Sequence, residues 1–200
     1  MISIYQIKPA FQRLLRPMLH SLHRIGVQPN HLTVLAIATS LSVGLAFYLW
    51  PNGWMRLVLP LFLLIRMALN ALDGMLAITY DQRSPSGELL NETGDVISDA
   101  ALYIPLIALT DLNALSVIIF VWLAALNEFA GVIAKVISGV RRYDGPMGKS
   151  DRALVVGVTI FVSYFWHEVI RYLNPILYLS IALMVLSTYL RLRRCLRTGA

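Results

Sequence analysis

Residues 70–99 read NALDGMLAITYDQRSPSGELLNETGDVISD, and the segments on either side of them are apolar enough to cross a bilayer. Asp73, Asp95 and Asp99 therefore fall where lipid disfavours charge. Ionisable residues in such segments face the bundle interior or a water-filled cavity and mark function more often than not. The break at Ser84-Pro85-Ser86-Gly87 is turn chemistry, which makes the stretch the adjoining ends of two helices. Gly87, Asn91, Asp95 and Asp99 recur at four-residue steps, so they share one helix face. The preceding helix carries a matching stripe of Arg66, Asn70, Asp73 and Ala77.

The surrounding chain sets the medium. Its 200 residues are 58% hydrophobic and 14% charged, with a mean hydropathy of +0.67. Soluble domains run about 45–50% apolar and about 25% charged, so the composition predicts an all-α integral membrane protein. The long unbroken apolar runs exclude the alternating ten-residue segments of an outer-membrane barrel. MISIYQIKPAFQRLLRP lacks the pattern of a cleavable signal peptide, and Cys195, the only cysteine, allows no internal disulfide.

Six transmembrane helices of about 20 residues are expected near 32–50, 54–79, 88–110, 114–139, 153–171 and 175–191, forming one membrane domain over residues 1–200. Pro51-Asn52-Gly53, Asp111-Leu112-Asn113, the polar run 139–151 and Asn174-Pro175 supply the other breaks. The net charge of +6 is arranged by side: Lys8, Arg13, Arg16, Arg24, Arg83, Arg141, Arg142, Lys149, Arg152, Arg191, Arg193, Arg194 and Arg197 all fall in segments of one side. That positive-inside pattern argues against nucleic acid as a partner. It predicts a multi-pass protein of the plasma (inner) membrane with both termini cytoplasmic and some attraction to anionic membrane lipids. In residues 4–25, Ile4, Ile7, Phe11, Leu14, Leu15, Met18, Leu22 and Ile25 recur at helical spacing, with Lys8, Arg13, Arg16 and His20 opposite. The pattern predicts a cytoplasmic amphipathic interfacial helix, broken or kinked at Pro17. A basic flank that merely sets topology accounts for the charges and leaves the periodicity unexplained.

Depth sorts the buried polar groups. At ~1.5 Å rise per residue, Asp73 and Asp95 both lie some six or seven residues in from the cytoplasmic ends of their helices. The two carboxylates are level and within reach of water, and with Asn70 and Asn91 they offer hard oxygen ligands for a cation. Arg66, Asp99 and Glu128 lie deeper, at about 16–20 Å. Arg66 and Glu128 read as a buried ion-pair cluster, whereas Asp99 fits either that cluster or the polar stripe. Gly74 and Gly87 fit close packing and loop breaking, or equally the approach of a bulky phosphate to the backbone.

Taken together the stretch resembles the signature of the CDP-alcohol phosphotransferase (CDP-alcohol phosphatidyltransferase) family, D-x2-D-G-x2-A-R-x8-G-x3-D-x3-D. Laid on without gaps, the signature falls on Asn70, Asp73, Gly74, Ala77, Ile78, Gly87, Asn91 and Asp95. QPNHLT before the first span and GPMGKSDRA before the fifth are also similar to family features. The resemblance implies transfer of a phosphatidyl or other phosphoalcohol group from a CDP-linked donor, such as CDP-diacylglycerol, to an alcohol acceptor, with release of CMP in phospholipid synthesis. It implies one or two Mg²⁺ or Mn²⁺ ions held at Asp73 with Asn70, Asn91 and Asp95, and a nucleotide cradle of Asp73, Gly74, Ala77 and Gly87. Asp95 is implied as the base, with Asp99 able to join the catalytic site if Asp95 turns to the metal; a homodimer is implied as well. Arg141, Arg142, Lys149 and Arg152 either bind a lipid or acceptor phosphate or serve as topology charges.

Three positions depart from the signature: Asn70 and Asn91 replace aspartates, and Ile78 replaces the arginine. An amide oxygen ligates Mg²⁺ without bringing charge, so one ion is the simpler expectation. Glu88 or Glu92, beside Asn91, could supply the lost charge. The leading reading is a metal-dependent transferase. The alternative is a catalytically altered relative that binds nucleotide-lipid or acts as a membrane partner protein. An ion or proton transporter leaves the glycine spacing unexplained and lacks an inverted repeat.

Overall fold

The computed structural model describes residues 8–198; Ile4 and Ile7 of the expected amphipathic helix lie outside them. Seven α-helices follow one another: α1 (Lys8–Arg24), α2 (Pro29–Leu49), α3 (Met55–Thr79), α4 (Pro85–Tyr103), α5 (Ala114–Ser138), α6 (Lys149–Phe165) and α7 (Leu173–Thr198). Short 3-10 turns, Ile104–Ala108 and His167–Tyr172, extend α4 and precede α7. Among the described residues there is no strand. Among the described residues four stretches are long and apolar enough to cross a membrane: α2, α3, α5 and His167–Arg197. Of the other helices, α4 carries the acidic stripe, and α6, with GKSDR at its start, is 17 residues long.

Local chemistry sets the helix ends. Pro29 and Pro85 occupy the first turns of α2 and α4, where a missing N–H costs nothing. Ser84 Oγ accepts from the Gly87 amide at 3.0 Å, which starts α4 three residues ahead of the expected 88. Asn113 caps α5 through the Leu115 amide at 2.9 Å, and Gly139, at φ 73°, ends it in the left-handed region. Asp151 Oδ2 accepts from the Gly148 amide at 3.1 Å and fixes the start of α6.

α1 runs through Pro17 without a break. Its Leu15, Leu19 and Leu22 pack with Leu32, Leu72 and Leu76 of α2 and α3. His23 stacks on Tyr80 at 3.5 Å between ring centroids, and His20 Nδ1 lies 2.8 Å from the Tyr80 hydroxyl, so α1 is tied to the end of α3. The main apolar core, including Leu59, Leu63, Tyr103, Phe120, Val156 and Leu177, joins α3 to α7 away from that end.

α2 packs closely on both α3 and α4, whereas α3 and α4 make no extensive backbone contact with each other. A Cβ on Gly44 of α2 would meet the Ala101 carbonyl oxygen of α4 at 1.9 Å, so only glycine permits that approach. The consequence is a cleft between α3 and α4, crossed only by side chains.

Candidate functional site

The two stripes face each other across this cleft. Because α3 and α4 run in opposite directions, positions pair as rungs, and each rung matches one carboxylate with one donor. Asn91 Nδ2 donates to Asp73 Oδ2 at 3.1 Å. Asn70 Nδ2 donates to Asp95 Oδ1 at 3.0 Å. Arg66 Nη1 donates to Asp99 Oδ1 at 2.5 Å.

The inner rungs belong to a longer network. Lys149, the first residue of α6, donates its ammonium to Asp95 Oδ1. Arg66 lies 3.7 Å from Asp95 and holds Asp99. Arg152 bridges Asp99 at 2.7 Å and Glu128 at 3.0 Å. Arg141 joins Glu128 at 3.1 Å to Glu92. From Lys149 to Glu92 the charges alternate strictly, four cations with four anions, and the chain as a whole is neutral. A buried charge is tolerated only when paired and hydrogen-bonded in this way.

Asp73 stands outside the chain. Its side chain is buried, and Oδ2 accepts from Asn91 and from Thr33 Oγ1, the latter at 3.1 Å. Oδ1 has no hydrogen-bond partner. It adjoins a cavity of about 560 Å³ lined by Asn30, Thr33, Asp73, Gly74, Ala77, Ile78, Gln82, Gly87, Asn91 and Lys135, among others. A Cβ built on Gly74 meets no protein atom within 4 Å, so the missing side chain keeps the cavity open and serves no packing contact. At Gly87 a Cβ would meet Asn30 Oδ1 at 2.8 Å and Ser84 Oγ at 2.9 Å, which ties that glycine to the turn and to α2. Lys135 reaches from α5 to Glu88 at the cavity rim.

The structure thus brings Asp73, Gly74, Ala77, Gly87 and Asn91 to one cavity, with Asn70 and Asp95 on the next rung. Asp99 lies deeper, with both oxygens held by guanidinium groups. Arg152 is completely buried, while Arg141, Arg142 and Lys149 keep between 17% and 23% of their side chains exposed. Asn30, Thr33, Gln82 and Lys135 join the cavity without having been singled out in the sequence. QPNHLT contains the first two, but nothing in its pattern shows that they face the cavity.

Asp73 Oδ1 is a buried carboxylate oxygen lacking a partner beside a polar cavity, and it suits a hard cation. Asp95 accepts from Asn70 and Lys149 through Oδ1. Among the described residues no group of three or more His, Cys, Asp or Glu side chains is placed to hold a metal. The residues around Asp73 Oδ1 fit one divalent ion.

Comparison with known proteins identifies the family. The family model for CDP-alcohol phosphatidyltransferase matches residues 27–190. Inner membrane protein YnbA of Escherichia coli (strain K12) is 52% identical over 157 residues, 78% of either chain, which supports a membrane location. Archaetidylinositol phosphate synthase of Pyrococcus horikoshii is 30% identical over 97 residues, 48% of this chain and 50% of its own. The fold resembles that of Mycobacterium tuberculosis phosphatidylinositol phosphate synthase (PgsA1) with CDP-DAG bound, at a TM-score of 0.73 and 21% identity, covering 92% of this chain and 94% of that one. The same enzyme in complex with manganese and citrate gives 0.71 and 21%, covering 90% and 87%. With its signature spacing kept and most of its length matched, the chain belongs to the CDP-alcohol phosphatidyltransferase family.

Proposed function

We propose that this protein transfers a phosphatidyl or related phosphoalcohol group from a CDP-linked donor, CDP-diacylglycerol foremost, to an alcohol acceptor with release of CMP. The observation that carries the reading is Asp73 Oδ1, a buried carboxylate oxygen without a partner, set beside a cavity that Gly74 leaves open. A CDP-lipid pyrophosphate is bulky and anionic, and this is the one place on the two stripes where a carboxylate, missing side chains and open space coincide.

In this reading Asp73 and the side-chain oxygens of Asn70 and Asn91 would hold one Mg²⁺ or Mn²⁺ ion, which would supply charge neutralisation for the pyrophosphate. Gly74, Ala77 and Gly87 let the nucleotide diphosphate lie against the helix backbones. Asp95 is the base, because Asp99 already has both oxygens in ion pairs. The acceptor oxygen forms a bond to the donor's lipid-side phosphorus while its proton passes to Asp95. The bond from that phosphorus to the bridging oxygen breaks, and CMP leaves with the electron pair. Of the four basic residues expected to meet a phosphate, Arg141, Arg142 and Lys149 are exposed enough to reach a substrate, while Arg152 supports Asp99 and Glu128 from within.

The same reading completes the architecture. α2 to α7 cross the membrane six times as one domain, with the cavity and both termini cytoplasmic. α1 lies in the cytoplasmic interface, its exposed Leu14 and Met18 toward lipid. The functional unit is a homodimer.

A second reading is a nucleotide-lipid binder without turnover, favoured by the rungs at Asn70 and Asn91, whose carboxylates are satisfied by amides. One assay separates the two: purified protein, CDP-diacylglycerol, Mg²⁺ or Mn²⁺ and a panel of alcohols, with detection of CMP. Metal-dependent CMP release that vanishes in both Asp73→Asn and Asp95→Asn establishes the transferase. Retained CDP binding with no CMP from any acceptor establishes the binder.

A further inference from the structure

We propose that Lys149 is a built-in cation of this site: its ammonium, tethered to the start of α6 and held on Asp95, supplies the positive charge that a second divalent ion would bring, and it transfers from Asp95 to the donor pyrophosphate on binding. The inference rests on the transferase reading above and specifies how that site neutralises its substrate.

Three observations converge on it. First, the substitutions at Asn70 and Asn91 turn each rung from two facing carboxylates, which repel unless a cation lies between them, into a donor and an acceptor that bond directly. The demand for cationic charge falls by two units. Second, the alternating chain from Glu92 to Lys149 is neutral within itself, and Lys149 is its terminal member with Asp95 as its only ion-pair partner. The three arginines each bridge two anions and are locked. Lys149 alone among the four cations can swing to a new anion by giving up a single one. An ammonium on a flexible stem suits that exchange better than a guanidinium. Third, the loop that presents it is fixed on every side. Met147, at φ 58°, gives its carbonyl to Arg152 and Asn127 at 3.2 and 3.4 Å. Gly145, at φ 93°, approaches Ser187 of α7 so closely that a Cβ would meet its Cα at 2.6 Å. The Asp144 carbonyl accepts from Ser187 at 2.9 Å and from Arg191 at 3.2 Å. A loop pinned this firmly delivers one side chain to one place.

Lys149, Asn70 and Arg66 all meet Asp95 at one oxygen, Oδ1. The lysine can therefore leave without stranding the anion, because Asn70 and Arg66 stay on that oxygen.

The test counts ions and weighs binding. Mn²⁺ is titrated into purified protein with saturating CDP and followed by its paramagnetic resonance signal, and CDP affinity is measured by calorimetry. One Mn²⁺ per chain is expected for the natural protein and for Lys149→Ala, together with about tenfold to hundredfold weaker CDP binding in Lys149→Ala, the range for losing a charged hydrogen bond. Lys149→Arg recovers most of that affinity. The triple variant Asn70→Asp, Asn91→Asp, Lys149→Ala is expected to take two Mn²⁺ per chain. Two ions in the natural protein, or CDP affinity unchanged in Lys149→Ala, overturns the proposal even if the triple variant does not fold. Two ions with CMP still released removes the lysine's role and leaves the transferase standing; no CDP binding by the natural protein removes both.

Discussion

At the level of single residues, the two glycines of the cleft do opposite work, and substitutions separate them. Gly74 lies inside α3 with open space where its Cβ would be. Alanine there gains helix propensity, about 1 kcal/mol, so Gly74→Ala should unfold at the same or a higher temperature in detergent. The added methyl nonetheless enters the cavity, and CDP binding by calorimetry should weaken; Gly74→Leu should abolish it without lowering the unfolding temperature. A Gly74→Leu protein that binds CDP normally would detach the cavity from the nucleotide. Gly44 has no such space. Its Cβ would overlap the Ala101 carbonyl, and Gly44→Ala should cost about 1–3 kcal/mol as α2 and α4 are forced apart. The sequence offered both meanings for Gly74 because a missing side chain looks the same whether it admits a helix or a ligand. Only the neighbours decide. At Asn70 and Asn91 more was legible, since the lost charge is visible in the residue type, although the direction of each hydrogen bond depends on the facing helix.

Pairs of elements explain which site residues the sequence revealed. The stripes on α3 and α4 were readable because helical period places every fourth residue on one face, and their pairing follows once the helices are antiparallel. Thr33, Lys135 and the clamp of α7 on the loop before α6 have no periodic signature, because they enter from elements distant in sequence. Glu92 is instructive: it sits off the stripe, yet Arg141 recruits it to the end of the ion chain. Asp99 is resolved by its partners, Arg66 of α3 and Arg152 of α6. Asp99→Asn leaves two buried guanidinium groups short of an anion, and breaking a buried pair costs about 3–5 kcal/mol. The expected result is a markedly lower unfolding temperature in detergent, with CDP affinity of the folded protein unchanged. Normal stability with CMP release lost would instead make Asp99 the base.

Across the whole molecule, the helices and their order were legible because composition and turn residues act locally. Several boundaries differ from the expected spans, two of them for plain local reasons: the Ser84 cap starts α4 early, and α6 gives way at Trp166 to a 3-10 turn before α7. Hydropathy alone does not mark α4 and α6 as spans, because each carries charges, several of which are paired inside the bundle. Orientation, however, follows from charge placement. The ends at 50–54, 109–113 and 166–172 contribute only Arg171 to their loops, with Arg56 beside them buried and bonded to Asn52 and His167. The opposite ends hold Arg83, Arg141, Arg142 and Lys149. Cys195 is buried, so it interferes little with labelling at engineered cysteines, and Cys195→Ser removes it altogether. In that background, Asn52→Cys and Asp111→Cys, at exposed positions, should react with a membrane-impermeant maleimide on intact cells. Arg83→Cys and Tyr143→Cys should react only after permeabilisation. Labelling of position 83 from outside would invert the proposed topology and carry the cavity, which Arg83 lines, away from the cytoplasmic face that the proposal gives it.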